Sequence, residues 1–190
     1  MSDPDPNNFS PAVQRALRRW PTVPAAYGWL RLDRRARWFV RDGLITHVRA
    51  LAFLNQHYAR DATGGWFVQN GPQRAYVTLD LAPWVLSVQP DGQLLAQGGR
   101  PVHAPHTLVL TDCGEVLIAS ELGLGNVVDR DLEGLTALLA AGPDGTDPHR
   151  VLQGDAQASL RLGAHLLRVE RISRAALPQH FGFVCDPQPA

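Results

Sequence analysis

The chain has 190 residues, 18 basic and 18 acidic side chains, and a hydrophobic fraction of 45%, which is the composition of an ordinary globular protein. No apolar run approaches the ~20 residues of a membrane span, and the acidic start MSDPDPNNFSP does not resemble a signal peptide. Two cysteines, Cys113 and Cys185, make no disulfide framework. We therefore expect a cytoplasmic protein with reduced thiols and no contact with a membrane.

All 18 basic side chains are arginine, and the sequence contains no lysine. The absence of lysine excludes a Walker-type phosphate loop, a Schiff base to pyridoxal phosphate and a lysine general base. We expect no cofactor. Residues 1–88 hold 11 Arg and 6 acids, whereas residues 89–190 hold 7 Arg and 12 acids, so the two halves are near +5 and −5. This asymmetry favours two units with different surfaces and is compatible with a homo-oligomer.

The first half begins with a predicted helix, for which Ser10 is the N-cap and Pro11 the first position. The stretch GWLRLDRRARWFVRDG alternates in hydrophobicity around a polar tip and predicts a β-hairpin with a solvated arginine face and core tryptophans. Thr46 is expected to cap a second helix. The segment WFVQNGPQRAYVTLDL predicts a second hairpin that turns at Asn70-Gly71-Pro72.

The second half repeats this order of elements. TLVLTDCGEVLIAS predicts a hairpin, DRDLEGLTALLAA a helix, and ASLRLGAHLLRVERIS a further hairpin. Between the halves, GGRPVHAP is expected to be irregular. We predict the following domain organisation: a disordered tail at 1–9, a basic, Trp-rich α+β unit at 10–98, a connector at 99–106, an acidic α+β unit at 107–185, and a tail at 186–190.

Hairpins outnumber helices, and the regular alternation of strand and helix that marks a parallel sheet is missing. The fold class predicted is α+β, with antiparallel hairpins and meanders, packed helices, and two similar hairpin–helix units.

Residues 20–90 also resemble a family. WLRLDRRARWFVRDG, a helix that ends in NQHY, and WFVQNGPQR are similar to motifs of an uncharacterised proteobacterial family. The hairpin is more distantly similar to another uncharacterised group, with repeated α/β motifs and a suggested signalling role. These resemblances imply a bacterial, cytoplasmic protein built from repeated units, and they imply no catalytic residues.

The turn of the second hairpin contains the first-choice binding site. Its amides and its arginine could hold a carboxylate, a phosphate or a peptide group, and its aromatic side chains could anchor a partner. Turn chemistry by itself also explains the pattern, because Asn-Gly-Pro favours a tight turn. The candidate ligand- or partner-binding residues are Trp66, Gln69, Asn70, Gln73, Arg74 and Tyr76.

Two alternatives stay open. A metal-assisted hydrolase with a dispersed site would use His103, His106 and Asp112, although His-x-x-His without further ligands is a weak pattern. Nucleic-acid binding would use the arginines and aromatic residues of the first half, but no arginine run exceeds two residues. The sequence favours a non-enzymatic domain that binds a small ligand or a protein, with a signalling role as one context.

Overall fold

The computed structural model describes residues 9–20, 23–154 and 158–189. The chain divides into two compact units, with the described residues up to Leu81 and from Gly182 onward in unit 1, and Ala82–Phe181 in unit 2. The elements of unit 1 are α1 (Pro11–Arg19), β1 (Ala26–Leu32), β2 (Trp38–Val40), β3 (Gly43–Leu44), α2 (Val48–Gln56), β4 (Tyr58–Arg60), β5 (Trp66–Asn70) and β6 (Gln73–Leu79).

Unit 2 contains nine strands and three α-helices within its described residues. The elements are β7 (Trp84–Val88), β8 (Leu94–Ala96), β9 (Arg100–Val102), β10 (Thr107–Leu110), β11 (Val116–Ser120), β12 (Gly123–Val127), α3 (Leu132–Leu138), β13 (Leu139–Ala141), α4 (Pro148–Gln153), β14 (Ser159–Leu162), β15 (His165–Arg171) and α5 (Leu177–Phe181). The predicted α+β class is confirmed.

The two units share one strand order. The sheet of unit 1 runs β3-β2-β1-β6-β5-β4, and six strands of unit 2 run β12-β11-β10-β15-β14-β13. In each unit the first and last strands of the set, β1 with β6 and β10 with β15, form a parallel pair between two antiparallel meanders. Unit 2 adds β7, β8 and β9 beyond β12, through a second parallel pair of β12 with β7. The sequence did not predict these parallel pairs, because they join strands that are distant along the chain.

The first hairpins of the two units also end in the same kind of loop. In unit 1, Asp33 donates its N–H to the carbonyl of Arg37 at 3.0 Å, and in unit 2 Thr111 donates its N–H to Glu115 at the same distance. Each loop has one residue with positive φ in its fourth position, Ala36 at 60° and Gly114 at 82°. Five-residue loops with an αL residue are therefore common to both hairpins.

The structure differs from the predicted domain boundaries. β7 and β8, expected in the N-terminal unit, belong to the second sheet, because β7 pairs with β12. The predicted connector 99–106 is partly regular, since Arg100–Val102 forms β9 after a 3₁₀ turn at Gln97–Gly99. The strand β9 pairs with β8 and is an edge strand of the second sheet.

The two predicted tails are in part packed against unit 1. Residues 1–8 of the first tail lie outside the described residues, whereas Phe9 is half-buried and its ring centroid lies 6.4 Å from that of Phe67. The tail expected at 186–190 is attached to unit 1 at its start, because Thr78 Oγ1 donates a hydrogen bond to Asp186 at 2.9 Å. Just before it, the carbonyl of Cys185 accepts the N–H of Leu79 at 2.7 Å.

The tryptophans divide between core and surface. Trp38, Trp66 and Trp84 are buried, and the first of these is expected from the hairpin interpretation, but Trp20 and Trp29 are about half exposed. Strand alternation explains the difference within the first hairpin, because Trp38 stands opposite Leu32 on the core side, while Trp29 precedes the regular register of β1. The prediction of core tryptophans in the first hairpin therefore holds for Trp38 and is wrong for Trp29.

The helix starts differ in detail from the predicted ones. α1 has Pro11 as its first residue, as expected, but the side chain of Ser10 makes no capping bond and instead lies 3.1 Å from His57 Nε2. α2 is capped by His47 and not by Thr46, since His47 Nδ1 accepts the N–H of Ala50. An imidazole nitrogen can accept this N–H as a hydroxyl does, which composition rules for N-caps do not anticipate.

Candidate functional site

The six predicted site residues lie on the β5–β6 hairpin, but they do not converge on one site. Asn70 stands opposite Gln73, and Gln69 stands opposite Arg74. Because side chains alternate between the faces of a strand, these two pairs lie on opposite faces of the sheet. Trp66 shares the face of Asn70 and Gln73, whereas Tyr76 shares the face of Gln69 and Arg74.

The side chain of Gln69 stabilises the β5–β6 turn by hydrogen bonds. Its side chain is fully buried, and its Nε2 donates to the carbonyls of Gly71 at 3.0 Å and Gln73 at 3.3 Å. The Oε1 atom of Gln69 has no hydrogen-bond partner among the described residues. Gln73 Nε2 donates to the carbonyl of Pro24 at 3.2 Å. The amide of Gln69 thus bonds to the backbone of its own turn, as turn chemistry alone predicts, whereas the amide of Gln73 bonds to a segment that precedes β1.

Tyr76 belongs to an aromatic and acidic cluster on the face of the sheet that carries Gln69 and Arg74. Its ring stacks on that of Tyr27, with centroids 4.6 Å apart and planes at 4°. Its hydroxyl donates to Asp61 Oδ2 at 2.6 Å, and Asp61 Oδ1 accepts the N–H groups of Thr63 and Gly65. The carboxylate therefore fixes both the loop after β4 and the orientation of the tyrosine.

Burial and hydrogen bonds in this cluster shift the pKa values of both Tyr76 and Asp61. Partial burial first, and then the hydrogen bond and charge of Asp61, raise the pKa of Tyr76 to about 12. Burial alone would raise the pKa of Asp61, but hydrogen bonds from Tyr76, Thr63 and Gly65 outweigh it, and the pKa of Asp61 is lowered. A phenol with so high a pKa stays protonated near neutrality, so Tyr76 acts as a hydrogen-bond donor and not as a base.

Tyr76→Phe is expected to flatten the alkaline limb of the stability curve. Because the folded pKa of Tyr76 lies above the ordinary value of 10.0, its contribution is fully present below that value and is lost as the pH rises to about 12. Urea unfolding at several pH values should therefore show a smaller alkaline loss in the variant than in the wild type. Tyr58, whose pKa burial also raises, is retained in both proteins and cancels in the comparison.

The acid limb provides the control for Tyr76→Phe. Removing the hydroxyl takes away one bond that lowers the pKa of Asp61, so the stability supplied by this carboxylate should be lost at a higher pH. An alkaline limb that is identical in the variant and the wild type would contradict the assignment of the shift to Tyr76.

An apolar groove lies on the face of the unit 1 sheet that carries Asn70 and Gln73, between the strands and α2. Its volume is about 630 Å³, within the ~300–1,000 Å³ of small-molecule sites. Two of the predicted residues, Asn70 and Gln73, supply amides at its β5–β6 end, and the remainder of the lining is apolar. The other lining residues are Ala26, Trp29, Leu30, Val40, Ile45, Ala50, Phe53, Leu54, Val68 and Ala75.

The hairpin turns allow residues of the groove to be matched with equivalent residues in the sequence of unit 2. Asn70 pairs with Gln73 across a two-residue turn, and Leu162 pairs with His165 across a turn of equal length. The glycines that follow the first partners, Gly71 and Gly163, both have φ of 57°. Counting back along each strand, Val68 corresponds to Leu160 and Ala75 to Leu167.

Unit 2 has buried leucines at three of these positions. Leu160, Leu162 and Leu167 are at most 2% exposed, whereas the corresponding residues of unit 1 include the polar Asn70 and the small Ala75. The second hairpin strand adds a further difference, because β2 has three residues and β11 has five. Unit 1 thus has smaller or polar side chains and a shorter strand where unit 2 has buried leucines and a longer strand.

Most of the groove was missed by sequence reasoning. Ala26, Ala50 and Ala75 come from three different elements, and only the fold brings them together. One signal was present in the sequence: the hairpin QNGPQRA carries amides and alanine where its counterpart RLGAHLL carries leucines. A comparison of the two hairpins residue by residue would have pointed to this end of the groove.

The residues of the metal alternative are not brought together. His106 Nδ1 lies 2.9 Å from Thr107 Oγ1, before β10, while Asp112 lies beyond the other end of β10 and accepts the N–H of Arg174 at 2.8 Å. The backbone of His103 donates to Glu121. Within residues 9–20, 23–154 and 158–189, no three His, Cys, Asp or Glu side chains cluster closely enough to hold a metal ion.

Among the described residues, none of the helices has both the length and the apolar character needed to cross a membrane.

Comparison with solved structures identifies similar folds. A crystal structure of a DUF1285 family protein from Silicibacter pomeroyi DSS-3 matches with a TM-score of 0.50 and 12% identity, over 75% of this chain and 82% of that one. A DUF1285 family protein from Shewanella baltica OS155 matches with a TM-score of 0.45 and 14% identity, over 57% of this chain and 91% of that one. The first similarity concerns the fold alone. No curated protein matches the sequence significantly.

The sequence itself matches a family model over residues 10–188, which is nearly the whole chain. The description of that family is "Protein of unknown function (DUF2946)". The expectation of an uncharacterised family is thereby confirmed, and the chain belongs to this family of proteins of unknown function.

Proposed function

We propose that the chain is a non-enzymatic binding domain and that the groove of unit 1 holds a small, mainly apolar molecule. Apolar lining with a few polar groups at the ends is the usual composition of a small-molecule site. The amides of Asn70 and Gln73 lie at one end, and the half-exposed Trp29 lies in the lining.

The comparison of the two units is the observation that carries this proposal. Six strands of the unit 2 sheet repeat the strand order of the unit 1 sheet, and the positions equivalent to Val68, Asn70 and Ala75 hold the buried leucines Leu160, Leu162 and Leu167. Strand order therefore does not require an opening at this place. The groove leaves apolar side chains such as Trp29 and Val40 exposed to solvent, and an exposed apolar surface of this kind calls for an explanation beyond folding.

Two finer aspects belong to the same proposal. We infer that the units are two copies of one ancestral motif, and that the copy in unit 1 carries the groove. We also propose a bacterial cytoplasmic context in which ligand occupancy is signalled onward. The resemblance of the WFVQNGPQR hairpin to an uncharacterised proteobacterial family supports this context.

Filling the groove is expected to abolish binding of a neutral apolar probe. The variants Ala75→Leu and Asn70→Leu place in unit 1 the residues that stand at the equivalent positions of unit 2. N-phenyl-1-naphthylamine should fluoresce with the wild type and lose at least about tenfold in affinity with the double variant, because the added methyl groups occupy its space. Fluorescence titration measures both affinities.

Ala75→Ser is the matched control, because it changes the same position without filling the groove. It should bind the probe within about threefold of the wild type. Far-UV circular dichroism and urea unfolding establish that every variant is folded. A probe that binds the double variant as tightly as the wild type, or that binds neither, would refute the proposed function.

A further inference from the structure

The turn between β2 and β3 contains an arginine in an unusual backbone conformation. Val40 pairs with Gly43, so Arg41 and Asp42 form a two-residue hairpin turn. Arg41 has φ of 52°, and among the described non-glycine residues only Ala36 shares a positive φ. Positive φ at the first position of such a turn favours glycine, since other side chains incur a steric cost there.

The corresponding turn of unit 2 does not use this conformation. Ser120 pairs with Gly123 across Glu121 and Leu122, and in this turn the positive φ belongs to Gly123. A two-residue turn in this fold can thus be made without strain on an arginine. Strain that turn geometry does not require is a reason to ask what the side chain does.

The guanidinium of Arg41 stacks on a residue of the groove lining. Its central carbon is 3.9 Å from the ring centroid of Trp29, which lines the groove, and the backbone N–H of Arg41 donates to the carbonyl of Trp29 at 2.8 Å. Trp29 is 47% exposed. The stacked aromatic ring and the backbone bond together hold the cationic group against Trp29, a residue of the groove lining.

Arg41 also differs from its neighbours in the hairpin in its ionic contacts. Arg31 and Arg37 both lie over the ring of Phe39, and each is paired with a carboxylate, Asp80 at 2.9 Å and Asp33 at 2.6 Å. Arg41 makes no ion pair with any described residue. Its donors are therefore available for an external anion.

The shape of the groove indicates an elongated ligand. Its lining comes from β2, β1, β6 and β5, which are neighbours in that order. At a strand spacing of about 4.8 Å, the three steps between these strands span about 14 Å. Val40 of β2 lies at one end of this series and directly precedes Arg41, the amides of Asn70 and Gln73 lie at the β5–β6 end, and the lining between them is apolar.

We propose that the ligand is a medium-chain aliphatic carboxylate whose headgroup binds Arg41 and whose chain lies across the four strands. This inference rests on the proposed function and specifies the ligand class of the same groove. A carboxylate accepts two parallel hydrogen bonds from a guanidinium, and an aliphatic chain matches the apolar lining. Asp42, the exposed acid of the same turn, opposes the anion, and Arg41 must outweigh it.

The test compares decanoate with decanol by isothermal titration calorimetry. The wild type should bind decanoate at least about tenfold more tightly than Arg41→Gly does, because the variant lacks the charge-assisted bonds. Decanol, which has no charge, should bind both proteins within about threefold. Asp42→Asn should raise the affinity for decanoate by a few-fold, since it removes a like charge beside the headgroup.

Three controls separate binding from folding. Arg41→Gly should melt at a temperature equal to or above that of the wild type, because glycine suits the positive φ, so a loss of affinity would not reflect unfolding. Arg41→Lys retains the charge and should recover part of the affinity for decanoate. Arg161→Gln removes one exposed arginine from β14 in unit 2 and should leave the affinity unchanged.

The outcomes distinguish this inference from the proposed function. If decanoate and decanol both bind, both are blocked by Ala75→Leu with Asn70→Leu, and Arg41→Gly weakens neither, the groove is a binding site but the carboxylate assignment is wrong. If neither compound binds the wild type and N-phenyl-1-naphthylamine also fails to bind, the proposed function falls as well. Equal loss of decanoate with Arg161→Gln would show a non-specific charge effect and would overturn the role of Arg41.

Discussion

Replacing Trp38 with alanine should destabilise unit 1 by about 4 kcal/mol, the range found when a large aromatic side chain is removed from a core. Trp38 is 1% exposed, its Nε1 donates to Asn55 Oδ1 at 3.0 Å, and its ring meets that of Tyr58 edge to face at 5.4 Å. The alanine variant loses the apolar burial, the aromatic contact and the bond that joins β2 to α2. Urea unfolding followed by far-UV circular dichroism measures the loss without depending on tryptophan fluorescence.

Trp38→Phe and Trp20→Ala complete this experiment. The phenylalanine variant keeps an aromatic ring and leaves Asn55 without its partner, so it should lose about 1–2 kcal/mol. Trp20 is 50% exposed, and its alanine variant should change the free energy of unfolding by less than about 1 kcal/mol. Equal losses for Trp38→Ala and Trp20→Ala would contradict the placement of Trp38 in the core.

Replacing Asp33 with alanine should destabilise unit 1 by about 3 kcal/mol, because a buried acceptor that serves three donors disappears. The Asp33 side chain is 6% exposed. Its Oδ1 accepts the N–H groups of Arg35 at 2.9 Å and Arg37 at 2.8 Å, and its Oδ2 accepts Arg37 Nε at 2.6 Å. Without the carboxylate, the N–H groups at the tip of the hairpin lose their acceptor and can form hydrogen bonds only with water. Urea unfolding midpoints and m-values measure the change.

Unit 2 supplies the matched rescue for Asp33→Ala. In its equivalent loop, Thr111 Oγ1 accepts the N–H of Glu115 at 3.0 Å and donates to the Glu115 carboxylate. The double variant Asp33→Thr with Arg37→Glu copies this pair into unit 1 and should recover about half of the stability lost by Asp33→Ala. A loss below about 1 kcal/mol in Asp33→Ala would show that the loop does not depend on the carboxylate.

The candidate site was only partly predictable. The sequence singled out the β5–β6 hairpin, and two of its six residues, Asn70 and Gln73, do line the groove. Local pattern could not show that Gln69 braces its own turn while Tyr76 faces a different cluster, because this depends on which face of the sheet α2 covers. Arg41 gave no local signal either, since its importance lies in its φ and in its contact with Trp29.

By itself, the sequence determined the α+β class, the hairpins and their turns, because these depend on alternation of hydrophobicity and on residues such as Gly71 and Gly163 that tolerate positive φ. Tertiary structure alone decided the parallel pairing of β1 with β6 and of β10 with β15, the assignment of β7 to the second sheet, and the return of the chain after Gly182 to unit 1. Such pairings are made between segments far apart in the chain, and their hydrogen bonds are backbone bonds that no particular side chain encodes. The groove belongs to the same class of feature: its residues become a site only where four strands and a helix bring them together.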